Sequence, residues 1–265
     1  NETLRVIEAD VLSDFKLKRE FDYVLHFASR ASPDNYQEHP IHTLRTNSEG
    51  TLKMLRIADQ HGAKFMYSST SEVYGNPEEH PQTEKYNGNV NPVGVRACYD
   101  EGKRFGEAAI KSYDIKHGID YRIIRIFNTY GPRLKKEDGR VISNFINQAL
   151  EDEPLTVYGD GSQTRSFCYV DDLVDGIRKA MDAEKESILN LGNPDEYTIL
   201  ELAEKVQKVI DTDSEITHQE LPEDDPEKRR PDISRAEEQL GWTPKVDLEE
   251  GLKKTARHYR GSHDG

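Results

Sequence analysis

Apolar positions fall into two rhythms along the first half of the chain. Tyr23-Val24-Leu25-His26-Phe27-Ala28 reads as a buried parallel strand, Lys64-Phe65-Met66-Tyr67-Ser68 as the next, and Tyr121 to Phe127 as a β-branched third. Between them, Thr43 to His61 sets Leu44, Leu52, Leu55 and Ile57-Ala58 at helical spacing, and Tyr99 to His117 reads as a helix stopped at Gly118. Val6-Ile7 is a further short apolar piece ending in Asp10-Val11. Strands alternating with helices imply an α/β fold with a doubly wound parallel sheet. In such sheets ligands lie beyond the carboxyl ends of the strands, so motifs just after strands carry the most information.

The rhythm changes near residue 129. Gly131-Pro132, Glu153-Pro154, Gly159-Asp160-Gly161 and Asp225-Pro226 punctuate shorter elements. Ser187 to Leu191 again reads as a strand, so this smaller α/β part is interleaved with the sheet. The expected division is 1–128 with 166–192 returning to it, then 129–165 and 193–260, with 261–265 as a disordered tail.

Composition narrows the partners. The net charge is −14, which argues against nucleic acid or an anionic membrane, since both would repel it. No apolar run approaches the roughly 18 residues of a membrane span. Cys98 and Cys168 form no CxxC and give neither a disulfide framework nor a metal site. A cytoplasmic protein fits this balance, and so does one kept hydrated by acidic residues in a high-salt cytoplasm.

Tyr99 and Lys103 form Tyr-x-x-x-Lys, and on a helix they share a face. An ammonium beside a phenol lowers its pKa and readies it as a base near neutral pH. Ser68-Ser69-Thr70-Ser71-Glu72-Val73-Tyr74-Gly75 follows a strand, where its hydroxyls face the ligand crevice. His26 on its strand and Cys98 beside Tyr99 read as packed structural residues.

A serine or threonine after one strand, then Tyr-x-x-x-Lys on the next helix, resembles the catalytic signature of the short-chain dehydrogenase/reductase superfamily. Asp10-Val11, His26-Phe27-Ala28-Ser29 and Asn47-Ser48-Glu49-Gly50-Thr51 look like its extended, sugar-nucleotide branch. Within that branch, Ala31-Ser32-Pro33, Val90-Asn91-Pro92, Arg96 to Arg104, Arg125 to Arg133, Asp138 to Val141, Gly161 to Arg165 and Arg229-Arg230-Pro231-Asp232 are similar to the UDP-glucuronate decarboxylases. The triplet Thr70-Ser71-Glu72 discriminates by chemistry. Sugar 4,6-dehydratases carry an aspartic acid at the Ser71 position to protonate a departing hydroxyl, which a serine cannot do. The 4-epimerases usually have no carboxylate at the Glu72 position.

The resemblance implies a Rossmann-like doubly wound sheet, NAD as cofactor and a UDP-sugar as substrate, bound by the smaller part. Tyr99, assisted by Lys103 and Thr70, would take the sugar O4 proton while hydride passes from C4 to NAD. The 4-keto sugar is a β-keto acid and would lose carbon dioxide, giving UDP-xylose after hydride returns. Glu72 and Arg229 would position the carboxylate and manage protonation at C5. Asp10, Val11, Phe27, Ala28, Ser29, Thr46, Asn47, Ser68 and Thr129 would hold NAD beside Tyr99 and Lys103. Ser69, Asn128, Arg133, Arg140, Asn144, Arg165 and Arg229 would hold the nucleotide sugar. Tyr158 would lie either by the uracil or in the core. No metal is implied. The family's homodimer through a four-helix interface would map to Thr43–His61 and Tyr99–His117.

The family also opens with a strand, a Gly-x-x-Gly-x-x-Gly turn and a second strand ending in an acid, which bind pyrophosphate and adenine ribose. Nothing in this sequence matches that first βαβ unit. Either residues before Asn1 complete it, or the chain is a truncated version of the fold that binds NAD poorly, or the fold has become a nucleotide-sugar-binding protein. A UDP-sugar 4-epimerase is the other enzymatic reading. If the sheet starts here, the strand near Val6 must pair with Tyr23–Phe27, find another edge or come loose, with a brief helical turn around Leu12, Phe15 and Leu17.

Overall fold

A computed structural model describes residues 4–15, 20–136, 138–222 and 226–263. Strand β1 (Tyr23–His26) leads into α1 (Pro33–Glu38), α2 (Pro40–Arg45) and α3 (Thr51–His61), then β2 (Lys64–Thr70), α4 (Ala97–His117) and β3 (Tyr121–Ile126). A second part begins with β4 (Thr129–Tyr130), α5 (Val141–Leu150), β5 (Leu155–Tyr158), β6 (Thr164–Ser166) and β7 (Cys168–Tyr169). The chain returns through α6 (Val170–Met181) and β8 (Ser187–Leu191), then leaves through β9 (Glu196–Thr198), α7 (Ile199–Ile210), β10 (Ile216–Gln219) and β11 (Lys228–Arg229). Helices α8 (Ser234–Leu240) and α9 (Leu248–His263) follow.

Strands β1, β2, β3 and β8 form one sheet in that order, every pair parallel, with Tyr23 opposite Lys64, Phe65 opposite Tyr121 and Arg122 opposite Ser187. Their side chains alternate between two apolar layers, as a pleat requires. Phe65, Tyr67, Tyr121 and Ile123 pack with Leu55, Ala58, Ala109 and Ile110 of α3 and α4. Met66, Ile124, Leu189 and Leu191 pack on the other face with Leu173, Ala180, Ala236 and Trp242. Helices thus cover both faces, and the doubly wound reading holds. One boundary changes: Ile233, Ala236 and Trp242, expected in the smaller part, pack against the sheet. The smaller part has its own core, built by α5, β5, α7 and α9.

Three sequence expectations differ from what is observed. Thr43 to His61 is not one regular helix: a π turn at Thr46–Gly50 joins α2 to α3. Its hydroxyls bond back to the preceding turn, Ser48 Oγ to Leu44 O and Thr51 Oγ1 to Asn47 O, which competes with regular helix pairing. Val6 and Ile7 form no strand; they are 81% and 54% exposed and pair with no strand among the described residues. Without a partner for its N–H and C=O groups a strand does not form. A single turn does follow, Ser13 N donating to Asp10 O, while Leu17 lies outside the described residues. Finally, α9 runs to His263 and takes in Gly261, which the sequence assigned to a disordered tail; 264–265, like Asp225, lie outside the described residues.

Candidate active site

The site forms where β2 runs out. After Thr70 the chain turns through one 3₁₀ turn, Ser71–Tyr74, and Thr70 Oγ1 caps it by accepting from Glu72 N at 3.3 Å. The turn ends at Gly75, whose φ is 61° and whose missing Cβ would meet Asn89 O at 2.0 Å, so only glycine fits. This tight exit aims the Gly75 carbonyl at Arg229, which donates to it through Nη2 at 2.8 Å.

Tyr99 and Lys103 rise from the first turns of α4, both buried, at 6% and 2% exposure. The Thr70 hydroxyl hydrogen-bonds the Tyr99 phenol. Tyr36 of α1 stacks on the Tyr99 ring, 5.0 Å between centroids and 3° between planes, fixing its orientation. Lys103 Nζ donates to Ser68 O at 2.7 Å and lies 5.8 Å from the Tyr99 ring centroid. Here the sequence expectation of a phenol activated by its lysine needs correction. Burial pushes Tyr99 up to about 12, although Thr70 pulls the other way. Burial also lowers Lys103 to about 7. Without a further charge the phenol keeps its proton at neutral pH.

Glu72 is clamped by two arginines. Arg229 Nη1 donates to Glu72 Oε1 at 2.7 Å and to Ser71 Oγ at 3.0 Å, and Arg96 Nη2 donates to Glu72 Oε2. Burial disfavours the Glu72 carboxylate, but Arg229 and then Arg96 outweigh it and hold its pKa below the usual carboxylate range. Glu72 and Arg229, both named from the sequence, are directly paired. Arg229 is 1% exposed and spent on Glu72, Ser71 and Gly75, which leaves it a positioning group. Glu72, held ionised, is a poor proton donor. The sequence reading missed Arg96, Tyr36 and Asp100; Arg96 at the α4 N-cap was legible only as part of a motif. A pocket of about 220 Å³ opens beside this cluster, lined by Glu72, Asn89, Asn91, Arg96 and Asp100 among others.

The NAD-directed residues split into two groups. Asn47, carried inward by the π turn, is fully buried with neither amide atom partnered among the described residues. Lys103 has three donors and a single acceptor, Ser68 O. These open groups suit a polyhydroxylated ligand such as the nicotinamide riboside end of NAD. Thr46 is buried beside them with its hydroxyl toward His42, while Phe27 and Ala28 are exposed and Ser29 half-buried beyond β1. Thr129 Oγ1 is bonded to Phe127 O. Asp10 has both carboxylate oxygens engaged, by Leu12 N and by His42 Nε2 at 2.9 Å, and Val11 packs against Gly50.

The substrate-directed residues are also scattered. Ser69 turns away from the crevice, because alternation on β2 sends its hydroxyl to Glu107. Arg165 sits opposite Arg229 across the β6–β11 pair, and its charge acts on Glu72. Arg140 Nε pairs with Asp138 at 2.9 Å, and its charge reaches Tyr99. Asn144 Nδ2 bonds Gly139 O, Asn128 is half-buried, Arg133 is exposed at φ 69°, and Tyr158 is 39% exposed rather than in the core. Among the described residues no cluster of metal-ligating side chains forms, and no helix is long and apolar enough to cross a membrane.

With this geometry in place, the similarities are specific. Residues 1–192 match the model of the NAD dependent epimerase/dehydratase family. The chain is 52% identical over 260 residues to UDP-glucuronic acid decarboxylase 2 of Arabidopsis thaliana, covering 98% of this chain and 58% of that protein. To UDP-glucuronic acid decarboxylase 6 of the same plant it is 54% identical over 241 residues, 91% of this chain and 70% of that one. Among solved structures, a mutant of the UDP-glucuronic acid 4-epimerase of Bacillus cereus, in complex with UDP-4-deoxy-4-fluoro-glucuronic acid and NAD, superimposes with a TM-score of 0.87 at 27% identity, over 97% of this chain and 81% of that one.

Proposed function

We propose that this chain, which belongs to the NAD dependent epimerase/dehydratase family, carries the catalytic centre of an NAD-dependent decarboxylase turning UDP-glucuronate into UDP-xylose. The observation that carries this reading is the state of the residues after Thr70. Ser71 is spent on Arg229 and Glu72 is held ionised, so neither residue after Thr70 can give a proton to a departing hydroxyl. The identity of 52–54% to proteins named UDP-glucuronic acid decarboxylase supports it. Shape alone would equally suit a UDP-sugar 4-epimerase, but that likeness stands at 26–30% identity.

NAD, when bound, supplies the hydride acceptor for C4 and returns the hydride at the end. Lys103, Asn47 and the Ser68 carbonyl hold its nicotinamide end. Tyr99, its ring fixed by Tyr36 and its phenol bonded by Thr70, would take up the sugar O4 proton as a phenolate, the positive charge of a bound nicotinamide offsetting the burial that otherwise keeps it protonated. Thr70 and Tyr99 then stabilise the oxygen of the 4-keto sugar. A carboxylate β to that ketone is lost as carbon dioxide, and C5 must gain a proton. The double clamp fixes Glu72 and Arg96 at the pocket wall in a cluster whose two guanidiniums outnumber its carboxylate.

The decisive experiment supplies the chain with NAD and UDP-glucuronate. Release of carbon dioxide with a UDP-pentose is expected; clean conversion to UDP-galacturonate without carbon dioxide would overturn the reading. We further infer a homodimer and a cytoplasmic setting. Phe105, Ala108, Ser112 and Ile115 make an exposed stripe on α4, at i, i+3, i+7 and i+10, suited to a twofold helix pairing. Both cysteines are free. A dimeric mass by light scattering checks the first.

A further inference from the structure

We infer that Asp100 is the acid whose proton ends on the sugar C5 once carbon dioxide has left, an inference that rests on the decarboxylase reading above. Asp100 follows Tyr99 on α4 and is 6% exposed. Its Oδ1 is buried with no hydrogen-bond partner among the described residues. An ionised carboxylate with a bare buried oxygen is costly, whereas the neutral acid is far less so. The side chain lines the pocket of about 220 Å³ that Glu72, Asn91 and Arg96 also line. The pocket adjoins the pair that would address the sugar O4: Tyr99 precedes Asp100 on α4, and Thr70 caps the turn that carries Glu72.

Two carboxyl groups share this pocket, and their surroundings drive them apart. Glu72, on the turn after β2, has Arg229 of β11 and Arg96 as direct partners. Asp100 feels both arginines at longer range. It also faces the negative charge of Glu72 and, from its own helix, that of Glu101. Tyr36 across on α1 and the adjoining Tyr99 are held neutral by burial. Burial first and Glu72 second push Asp100 above the usual carboxylate range. Of the two carboxyls, Asp100 is the one that holds a proton near neutral pH, the separation by which acid and base roles are divided in carboxylate pairs.

The step balances without another reagent. The C5–C6 bond breaks and its electron pair passes into the enolate spanning C5, C4 and O4. Carbon dioxide leaves, a C5–H bond forms with the proton of Asp100, and the O–H electron pair stays on the carboxylate. Solvent entering the pocket restores the proton.

The test runs the full chain with NAD and UDP-glucuronate in heavy water, beside Asp100→Asn and Asp100→Glu. In Asp100→Asn, cofactor reduction and carbon dioxide release should persist, while UDP-xylose formation slows about 100-fold or more and the cofactor stays reduced, the enol gaining its C5 proton from solvent and leaving as a 4-keto-pentose nucleotide. The stereospecificity with which the wild-type product takes its single C5 deuteron should be lost, and so should the alkaline limb of the rate profile; Asp100→Glu should restore both. Wild-type rate, stereochemistry and pH profile in Asp100→Asn would overturn the inference while leaving the decarboxylase reading intact. A wild-type chain that reduces NAD and never releases carbon dioxide would overturn both. Independently of activity or of how the variants fold, the wild-type chain should show a protonated-carboxyl infrared band at neutral pH. Its absence would also overturn the inference.

Discussion

The core of the smaller part and the buried end of β2 are held together by opposite means. Around α5, β5, α7 and α9 the packing is apolar: Phe145, Ile146, Leu155, Val157, Leu202, Ala203 and Val206 are all fully buried. Of the buried side-chain nitrogen and oxygen atoms without a partner among the described residues, none lies on those four elements. Tyr36, Asn47, Asp100 and Arg229, which surround the site, each carry at least one. The difference separates two jobs. One region supplies stability through area removed from water. The other keeps charges and open hydrogen-bonding groups buried, at a cost in stability, because a ligand and a reaction will use them.

Substitutions that probe each side should respond differently. Glu72→Gln is expected to have the largest effect on stability. It strips the partner charge from Arg229, which is 1% exposed, and breaking a buried pair from one side costs about 3–5 kcal/mol. The loss should itself depend on pH. The folded pKa of Glu72 is depressed, so its contribution is present above the ordinary value of about 4.3 and fades as pH falls through the folded value. Urea unfolding at pH 7 and in acid should show the gap between wild type and variant narrowing; a gap independent of pH would mean that the clamp is held by shape rather than charge. Leu202→Ala comes next, at about 3 kcal/mol, because Leu202 is fully buried on α7 and leaves a cavity. Its turnover per folded molecule should match wild type. A fall in turnover without a fall in stability would show that the two regions are coupled.

The same contrast explains what could be read from sequence. Strands such as Tyr121–Ile126 and the helix ending at Gly118 follow from local periodicity and a left-handed glycine stop, so β1, β2, β3, β8 and α4 were legible as elements of one parallel sheet and its helix. Tyr99, Lys103 and Thr70 were legible because helix spacing and a strand end place them. Arg96 and Asp100 were not, and Arg229 was named only through a family motif. What matters about them is which partner each charge faces, and that depends on β11 reaching across from the far end of the chain. Ser69 was misplaced by grouping a run of hydroxyls that the pleat of β2 sends to alternate faces. Val6-Ile7 has strand-like residues but no neighbour among the described residues, and pairing is not a local property.

The smallest of the expected effects has the opposite sign. Lys103 is 2% exposed, and its ammonium donates to one acceptor, Ser68 O. Burial lowers its pKa from 10.5 to about 7. At about 1.36 kcal/mol per pH unit, that displacement bounds the penalty of keeping the folded lysine charged at about 5 kcal/mol. The unfolded chain then binds more protons than the folded one between about pH 7 and 10.5, so stability from this group rises with pH across that window. Lys103→Met removes the penalty but leaves Ser68 O without its donor, at about 1–3 kcal/mol. The variant should therefore be more stable than wild type by about 2 kcal/mol at pH 7. The advantage should shrink and then reverse as pH approaches 10.5, where folded Lys103 is neutral and still donates to Ser68 while the unfolded lysine is already half neutral. Denaturation midpoints at pH 7 and pH 10 decide it. A wild type more stable than the variant at both would mean that the bond to Ser68 and the nearby Glu107 charge already offset the burial, and that Lys103 is not held at the expense of stability.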